Sequence, residues 1–198
     1  MIGAVLLAAG QSRRMGRPKM TLPWTQGRSI LAHVVHTFRL GGAAHLVVVT
    51  GADRAEVEAC LTGMQVILAH NPEFAAGGML SSVKVGLRTL RNTPVEAALI
   101  SPGDLPSLRP DTVAALIEGF RERQAPILAP SFQNRRGHPL ILRRAEWQAV
   151  LELEPDKTLR DFLRRREDDV DYLIVDDPAI LQDLDTPADY REALGEAQ

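Results

Sequence analysis

The chain has 198 residues, of which 45% are hydrophobic, and it carries a formal net charge of −2 at pH 7. This length suffices for one compact α/β domain with a real core, and we expect a single domain over residues 1–198. A charge so close to zero argues against a nucleic-acid partner and favours a small-molecule substrate. Because Cys60 is the only cysteine, an intrachain disulfide and a cysteine-based metal site are excluded, which fits a cytoplasmic location.

The opening residues, MIGAVLLAAG, lack a basic leader and turn glycine-rich at once. They predict a first strand rather than a signal peptide. No apolar run approaches the ~18 residues that a membrane span needs, so we expect no membrane partner.

Short apolar runs alternate with helical patterns along the chain, and turn residues separate them. In chain order, the predicted elements are strand Ile2–Ala8, helix Ile30–Leu40 with Ser29 as N-cap, strand His45–Thr50, a helix capped by Asp53 and ending at Leu61, strand Gln65–Ala69, helix Met79–Arg91, strand Ala97–Ser101, a helix capped by Asp111 and ending at Arg123, strands Pro126–Pro130 and Pro139–Leu142, helices Arg144–Leu153 and Thr158–Arg166, strand Asp171–Val175 and helix Pro187–Leu194.

Strands that alternate with helices at this spacing predict a mostly parallel sheet covered on both faces. We expect the first four strands to be parallel neighbours. Such sheets bind ligands at the carboxyl ends of their strands, and the unusual residues of this chain all follow strand ends.

A glycine-rich loop follows the first strand, and it contains four cations within seven positions: Arg13, Arg14, Arg17 and Lys19. Small residues let backbone N–H groups approach phosphate oxygens, and the basic side chains add charge. The spacing fits neither a P-loop nor the GxGxxG of nicotinamide enzymes. A phosphate-binding loop is therefore favoured over a merely solvated basic loop.

The run LAAGQSRRMGRPK closely resembles the signature of the MobA-like nucleotidyltransferases, and within them the molybdenum cofactor cytidylyltransferase branch. The guanylyltransferase branch usually opens LAGG and continues GGxDK, whereas this chain has Ala9 and the ending Arg17-Pro18-Lys19. The resemblance implies a three-layer α/β/α fold with a mostly parallel, Rossmann-like sheet of the nucleotide-diphospho-sugar transferase type. It also implies Mg²⁺-dependent transfer of CMP from CTP to the terminal phosphate of molybdopterin, with release of pyrophosphate.

The same resemblance assigns the nucleotide side of the site. It implies catalytic roles for Arg14, Lys19 and Asp104. It implies nucleotide binding by Leu7, Ala8, Ala9, Gly10, Arg14, Lys19, Gly78 and Ser82. Gly77-Gly78 at a helix start also offers free N–H groups, and Ser82 matches the family's S-V-x-x-G-L element, in which the serine lies against the base. A plain capped amphipathic helix is the alternative.

Two acidic motifs are candidates for the metal. Asp104 follows the fourth strand in SPGDLP, where we expect an exposed turn carboxylate able to hold Mg²⁺. LQDLDTPADY resembles the family's DIDTPEDY element, which makes Asp185 a second ligand and leaves Asp183 as a further candidate. Asp185 or Thr186 can also be the N-cap of the helix that starts at Pro187.

The acceptor side is less defined. Arg135-Arg136-Gly137-His138-Pro139 matches an RGHP element, and Arg136 and His138 could meet an anionic acceptor, although a loop histidine is more often structural. The family's GDxGxR segment is replaced by PDKTLR, which keeps Asp156 and Arg160 but lacks both glycines.

Other functions remain open on sequence alone. The chain could use GTP or another NTP, or a different phosphorylated acceptor. A related branch has been labelled a dye oxidoreductase, although this chain has no cofactor fingerprint for it. A non-catalytic carrier of molybdenum cofactor for a client molybdoenzyme is the rival from another class, and the retention of Lys19, Asp104 and Asp185 favours the enzyme.

Overall fold

The computed structural model describes residues 1–196, and eight strands of this part form one mixed sheet. Its order is β3-β2-β1-β4-β7-β5-β6, and β8 pairs with β5. The strands are β1 (Ile2–Ala8), β2 (Leu46–Thr50), β3 (Ile67–His70), β4 (Ala97–Pro102), β5 (Ile127–Phe132), β6 (Arg135–Arg136), β7 (Leu140–Arg143) and β8 (Val170–Ile174).

Helices cover both faces of the sheet. They are α1 (Ile30–Leu40), α2 (Arg54–Ala59), α3 (Gly78–Leu90), α4 (Pro110–Arg123), α5 (Trp147–Leu151), α6 (Leu159–Arg165) and α7 (Pro187–Glu196). Helices α1, α2 and α4 share one hydrophobic cluster with the sheet, and α3, α5 and α6 share another on the opposite face. The predicted α/β/α layers are therefore confirmed. No helix among residues 1–196 is long and apolar enough to cross a membrane.

The first four strands are parallel neighbours, as predicted: β1 pairs with β2 and β4, and β2 pairs with β3. The other half of the sheet is mixed. After β5 the chain turns through Gln133 and Asn134, whose φ angles are 49° and 61°, and returns antiparallel as β6 and then β7. Positive φ at both positions of a two-residue turn matches the twist of a tight hairpin. The hairpin sets β7 antiparallel between β4 and β5.

One predicted helix cap is confirmed, and two other helix starts differ from the sequence expectation. Ser29 caps α1, accepting a hydrogen bond from the backbone N of Ala32 at 3.2 Å. Asp111 does not cap α4, because the helix already starts at Pro110, whose fixed φ suits the first helical turn. Thr158 is an N-cap rather than the first residue of α6, and it forms a capping box with Asp161.

The contact between α3 and β1 depends on a glycine. A Cβ built on Gly86 would lie 2.2 Å from Cγ1 of Val5, so a side chain at this position would push the helix off the sheet. Gly86 is the glycine of the S-V-x-x-G-L element. Its absence of a side chain lets α3 lie directly on β1, next to the loop that follows that strand.

Candidate active site

The loop after β1 folds into two short 3₁₀ turns, Arg13–Met15 and Lys19–Thr21. Ser12 fixes the distance between them, because its Oγ accepts a hydrogen bond from the backbone N of Lys19 at 3.1 Å. Met15 is buried in a hydrophobic cluster that also contains residues of the C-terminal helix. The loop is therefore anchored at its middle, while its basic side chains stay near the carboxyl edge of the sheet.

Three carboxylates meet at this edge. One ligand atom each of Asp104, Asp183 and Asp185 lies within 4.8 Å of the others. Asp104 follows β4, and the other two precede α7; the backbone N of Leu184 donates to the carbonyl of Asp104 at 3.1 Å and ties the segments together. Carboxylate oxygens are the ligands that Mg²⁺ prefers.

The helix α7 is capped without the Asp185 side chain, which leaves this carboxylate free to face the charged cluster. Thr186 and Asp189 bond each other reciprocally: Asp189 N donates to Thr186 Oγ1 at 3.2 Å, and Thr186 N donates to Asp189 Oδ2 at 2.8 Å. These contacts satisfy the first turn of the helix. Thr186 therefore takes the capping role that the sequence left open between it and Asp185.

Two of the basic side chains predicted for the site, Lys19 and Arg14, form ion pairs with the predicted metal-binding carboxylates. The Lys19 ammonium pairs with Asp104 Oδ2, donates to the Leu184 carbonyl at 3.0 Å and lies 3.5 Å from Asp185 Oδ1. The Arg14 guanidinium is 2.8 Å from Asp185 Oδ2. The structure thus brings residues from three distant segments of the chain into one charged cluster.

Asp104 is buried, with 5% of its surface exposed, so the expectation of an exposed turn carboxylate is wrong. The neighbouring Leu105 is also buried, and Asp104 pairs with Lys19, so this turn packs into the protein rather than projecting from it. Burial raises the pKa of Asp104 above its ordinary value, Asp183 adds to the rise, and the Lys19 ammonium opposes it. Its Oδ1 is a buried oxygen without a hydrogen-bond partner. An orphaned oxygen beside two further carboxylates fits a divalent cation.

A cleft of about 450 Å³ opens beside this cluster. Gly10, Arg14, Lys19 and Asp185 line it, on the side of the loop. Of the other nucleotide-side residues, Leu7, Ala8 and Ala9 are buried at the end of β1, and Gly78 is the first residue of α3, with φ of 57°.

Ser82 is a buried residue of α3. It is 4% exposed, and its Oγ accepts a hydrogen bond from Asn71 Nδ2 at 2.9 Å. The same Asn71 amide donates to Ser81 Oγ at 2.8 Å. Among the described residues lining the cleft, Ser82 is not found.

The two acceptor-side residues differ in exposure. Arg136 is exposed on β6, whereas the ring of His138 is partly buried and its Nδ1 has no hydrogen-bond partner. Burial lowers the pKa of His138, against the opposing charge of Asp183 and with a smaller contribution from Arg136. The ring is therefore neutral near pH 7, and of the two side chains only Arg136 brings positive charge.

The family model of the MobA-like NTP transferase domain matches residues 4–170 of this chain. The chain belongs to this family. Its charged cluster and its sheet therefore belong to a nucleotidyltransferase of the MobA-like kind, in agreement with the resemblance found in the first loop.

Two curated relatives match this MobA-like transferase over nearly all of its length. The molybdenum cofactor cytidylyltransferase of Escherichia coli is 26% identical, over 96% of this chain and 93% of the relative. The nicotine blue oxidoreductase of Paenarthrobacter nicotinovorans is 30% identical, over 93% of this chain and 92% of the relative.

Two solved structures have the same fold as this chain. The crystal structure of Rv0371c from Mycobacterium tuberculosis superposes with a TM-score of 0.81 at 27% identity, covering 98% of both chains. A second structure of Rv0371c, in complex with manganese, gives a TM-score of 0.76 at 26% identity.

Two contributors to the site, Asn71 and the carbonyl of Leu184, were not expected from the sequence. Asn71 is 1% exposed and links the turn after β3 to α3. A buried asparagine at a strand end, ten residues before a pair of serines, carries no local signal for these bonds. Only the folded turn reveals them.

Proposed function

We propose that this MobA-like transferase moves CMP from CTP onto the terminal phosphate of molybdopterin and releases pyrophosphate. The observation that carries the proposal is the meeting of Arg14 and Lys19 with Asp104, Asp183 and Asp185 at one edge of the sheet. The name of the Escherichia coli relative supports the nucleotide and the acceptor. We also propose that residues 1–198 form one cytoplasmic transferase domain and that a molybdoenzyme is the client of its product.

The terminal phosphate of the proposed acceptor is itself the nucleophile. A phosphate monoester has a second pKa of about 6, so it is mostly dianionic at neutral pH. It needs no strong general base, which fits a site made of cations and carboxylates. Attack on the α-phosphorus brings two anions together and builds charge on the leaving pyrophosphate, and the site has to offset that repulsion.

Each charged residue has a role in that task. Arg14 offers a planar fork and Lys19 a compact charge for the phosphate oxygens. Asp104 and Asp185, with Asp183 beside them, would hold Mg²⁺, and the manganese complex of Rv0371c supports a divalent ion in such a fold. When bound, Mg²⁺ would neutralise part of the triphosphate charge.

The remaining site residues act by positioning. The backbone of the loop from Leu7 to Gly10 and the N–H of Gly78 would bind phosphate or base edges, since small residues allow close approach. Ser82 would act on base binding indirectly, by holding the turn that Asn71 anchors. On the acceptor side, Arg136 would attract an anion, and the neutral His138 would hold the loop that carries it.

Preference for CTP over GTP rests on Ala9, which stands where the guanylyltransferase branch has glycine. Ala9 is packed against Gly51, where an added Cβ would lie 2.5 Å from the Ala9 carbonyl oxygen. The loop is thus fixed tightly against β2. A pocket sized for cytosine would exclude guanine by volume or leave buried polar groups unpaired, at about 1–3 kcal/mol each.

The test is to incubate the protein with each of the four NTPs, Mg²⁺ and molybdopterin, and to measure pyrophosphate release. We expect CTP to give at least about tenfold higher kcat/KM than GTP, since one unpaired group is worth that factor. Equal values for CTP and GTP would mean that the branch is wrongly assigned. Tight binding of molybdenum cofactor without pyrophosphate from any NTP would favour the carrier.

The nicotine blue oxidoreductase relative makes dye reduction a second candidate to be tested. Loss of the colour of nicotine blue, on incubation with the same preparation and an added reductant, measures this activity. Dye reduction without pyrophosphate release would replace the transferase proposal.

A further inference from the structure

The turn between β3 and α3 presents an aromatic side chain to the nucleotide cleft. Phe74 lines the cleft of about 450 Å³ together with Gly10 and the basic loop. Its side chain is half-buried, and it belongs to none of the three hydrophobic clusters formed by the described residues. A partly exposed aromatic ring that lies outside these clusters and lines a polar cleft is available to a ligand.

The residues on both sides of Phe74 are held in place. Asn71 Oδ1 accepts from the backbone N of Glu73 at 3.0 Å, and the carbonyl of Glu73 accepts from Ala76 N at 3.2 Å and from Gly77 N at 2.8 Å. Together with the two bonds from Asn71 to the serines of α3, these contacts fasten the turn to the helix. A ring on a fastened turn loses little conformational freedom when a ligand binds.

The other side chains of the cleft decide which part of a nucleotide the ring can contact. Arg13, Arg14 and Lys19 also line the cleft, and their positive charges would attract the phosphates. Phe74 has no donor or acceptor, so it can contribute only a flat apolar face. Every nucleobase has a π-face that stacks on an aromatic side chain.

We propose that Phe74 stacks against the nucleobase of the bound NTP and is a nucleotide-binding residue of this chain. This inference rests on the proposed nucleotidyl transfer but does not depend on the acceptor. It also gives Ser82 an indirect role, because Ser82 and Asn71 hold the turn that carries the ring.

Binding measurements on two probes test the proposal. Calorimetric titration with CTP and Mg²⁺ measures the affinity that the base and the phosphates contribute together. Titration with inorganic tripolyphosphate and Mg²⁺ measures the affinity that phosphates contribute alone. For Phe74→Ala we expect CTP affinity to fall about tenfold or more, while tripolyphosphate affinity stays within about twofold of wild type. Met79→Ala, at an exposed neighbour in α3, is the matched control and should leave both affinities unchanged.

Phe74→Trp adds a spectroscopic readout. The natural Trp24 and Trp147 are 8% and 1% exposed, so a tryptophan in the cleft should dominate any ligand-dependent change in fluorescence. We expect CTP binding to be restored and the new fluorescence to be quenched by CTP but not by tripolyphosphate.

Three results would overturn the inference. An equal loss of affinity for CTP and for tripolyphosphate in Phe74→Ala would mean that the ring only supports the loop. Unchanged CTP affinity together with a raised KM for the acceptor would assign the ring to the acceptor. A wild-type protein that binds none of the four NTPs would overturn both this inference and the proposed function, whereas Phe74-dependent CTP binding without transfer to molybdopterin would overturn only the latter.

Discussion

The carboxylate of Asp104 is buried at the end of β4 and is the main partner of Lys19, whose side chain is only 13% exposed. Asp104→Ala should therefore abolish turnover and also lower stability. Breaking a buried pair costs about 3–5 kcal/mol, and the remaining contacts of Lys19 to Leu184 and Asp185 should keep the loss near the lower end. Urea unfolding and pyrophosphate release on the same preparation measure both effects.

Two variants separate charge from volume at this position. Asp104→Asn keeps the shape and should be inactive but more stable than the alanine variant, because its amide oxygen can still accept a hydrogen bond from Lys19 and it leaves no cavity. Asp168→Asn changes an exposed acid and should match wild type in both assays. Turnover at the wild-type level in either Asp104 variant, under saturating Mg²⁺, would remove Asp104 from the mechanism.

The lowered pKa of His138 predicts how stability depends on pH. Burial keeps the ring neutral in the folded chain, whereas the unfolded chain takes up the proton near the ordinary pKa of about 6.5. The contribution of His138 to the free energy of unfolding is therefore complete above about pH 6.5. It is lost as the pH falls below that value, by at most about 1.4 kcal/mol per pH unit for one group. His33 shifts in the same direction, chiefly by burial.

Urea unfolding at pH 5.5 and pH 7.5 measures this loss. His138→Asn should reduce the difference in unfolding free energy between the two pH values, and the double variant with His33→Asn should reduce it further. A wild-type protein that is as stable at pH 5.5 as at pH 7.5 would contradict the assignment of neutral, buried imidazoles.

At the scale of elements, the packing of α3 against β1 determines where the turn after β3 lies. Gly86→Ala should press a methyl group against Val5 and destabilise the fold by about 1–3 kcal/mol, the usual cost of overpacking. It should also raise the KM for nucleotide, because α3 carries Ser82. Thermal unfolding and steady-state kinetics measure the two effects.

Two further variants check that volume is the cause. Val5→Ala combined with Gly86→Ala should regain part of the lost stability. Gly195→Ala in α7, where a Cβ would have nothing within 4 Å, should leave stability unchanged or slightly higher. A Gly86→Ala protein as stable as wild type would show that the helix can shift freely.

The sequence predicted most elements because their patterns are local. The bounds of β1 and α1 agree with the expectation, and so does the capping by Ser29. The strand β6 was not predicted, because its two residues, Arg135 and Arg136, are both exposed and show no apolar alternation. Strand direction was not predictable for β7 either, since apolar periodicity does not distinguish a hairpin from a crossover.

The candidate site was predictable in its members but not in its contacts. Loop cations and strand-end carboxylates stood out as residue types next to strands. The pairing of Lys19 with Asp104 joins residues 85 positions apart, and the burial of Asp104 follows from that pairing and from packing. Such long-range contacts leave no local pattern in one sequence.

At the scale of the whole molecule, the parallel half of the sheet collects the charged residues at one edge, and α7 closes the edge from the far end of the chain. Tyr190 in α7 donates a hydrogen bond to the Pro23 carbonyl at 2.6 Å and packs with Trp24 and Leu184. The last helix thus holds the Asp183–Asp185 segment against the first loop. This arrangement lets widely separated parts of the chain act on one nucleotide.

The proposed function requires that the CMP unit of CTP, with its α-phosphorus, is transferred to a phosphorylated acceptor. The most direct measurement uses CTP labelled at the α-phosphorus, with Mg²⁺ and molybdopterin, and follows the label by chromatography and mass spectrometry. We predict that the label appears in a product heavier than molybdopterin by one CMP unit, with one unlabelled pyrophosphate released per product. Label that stays in CTP or appears only as free CMP, with no labelled acceptor, would contradict the account.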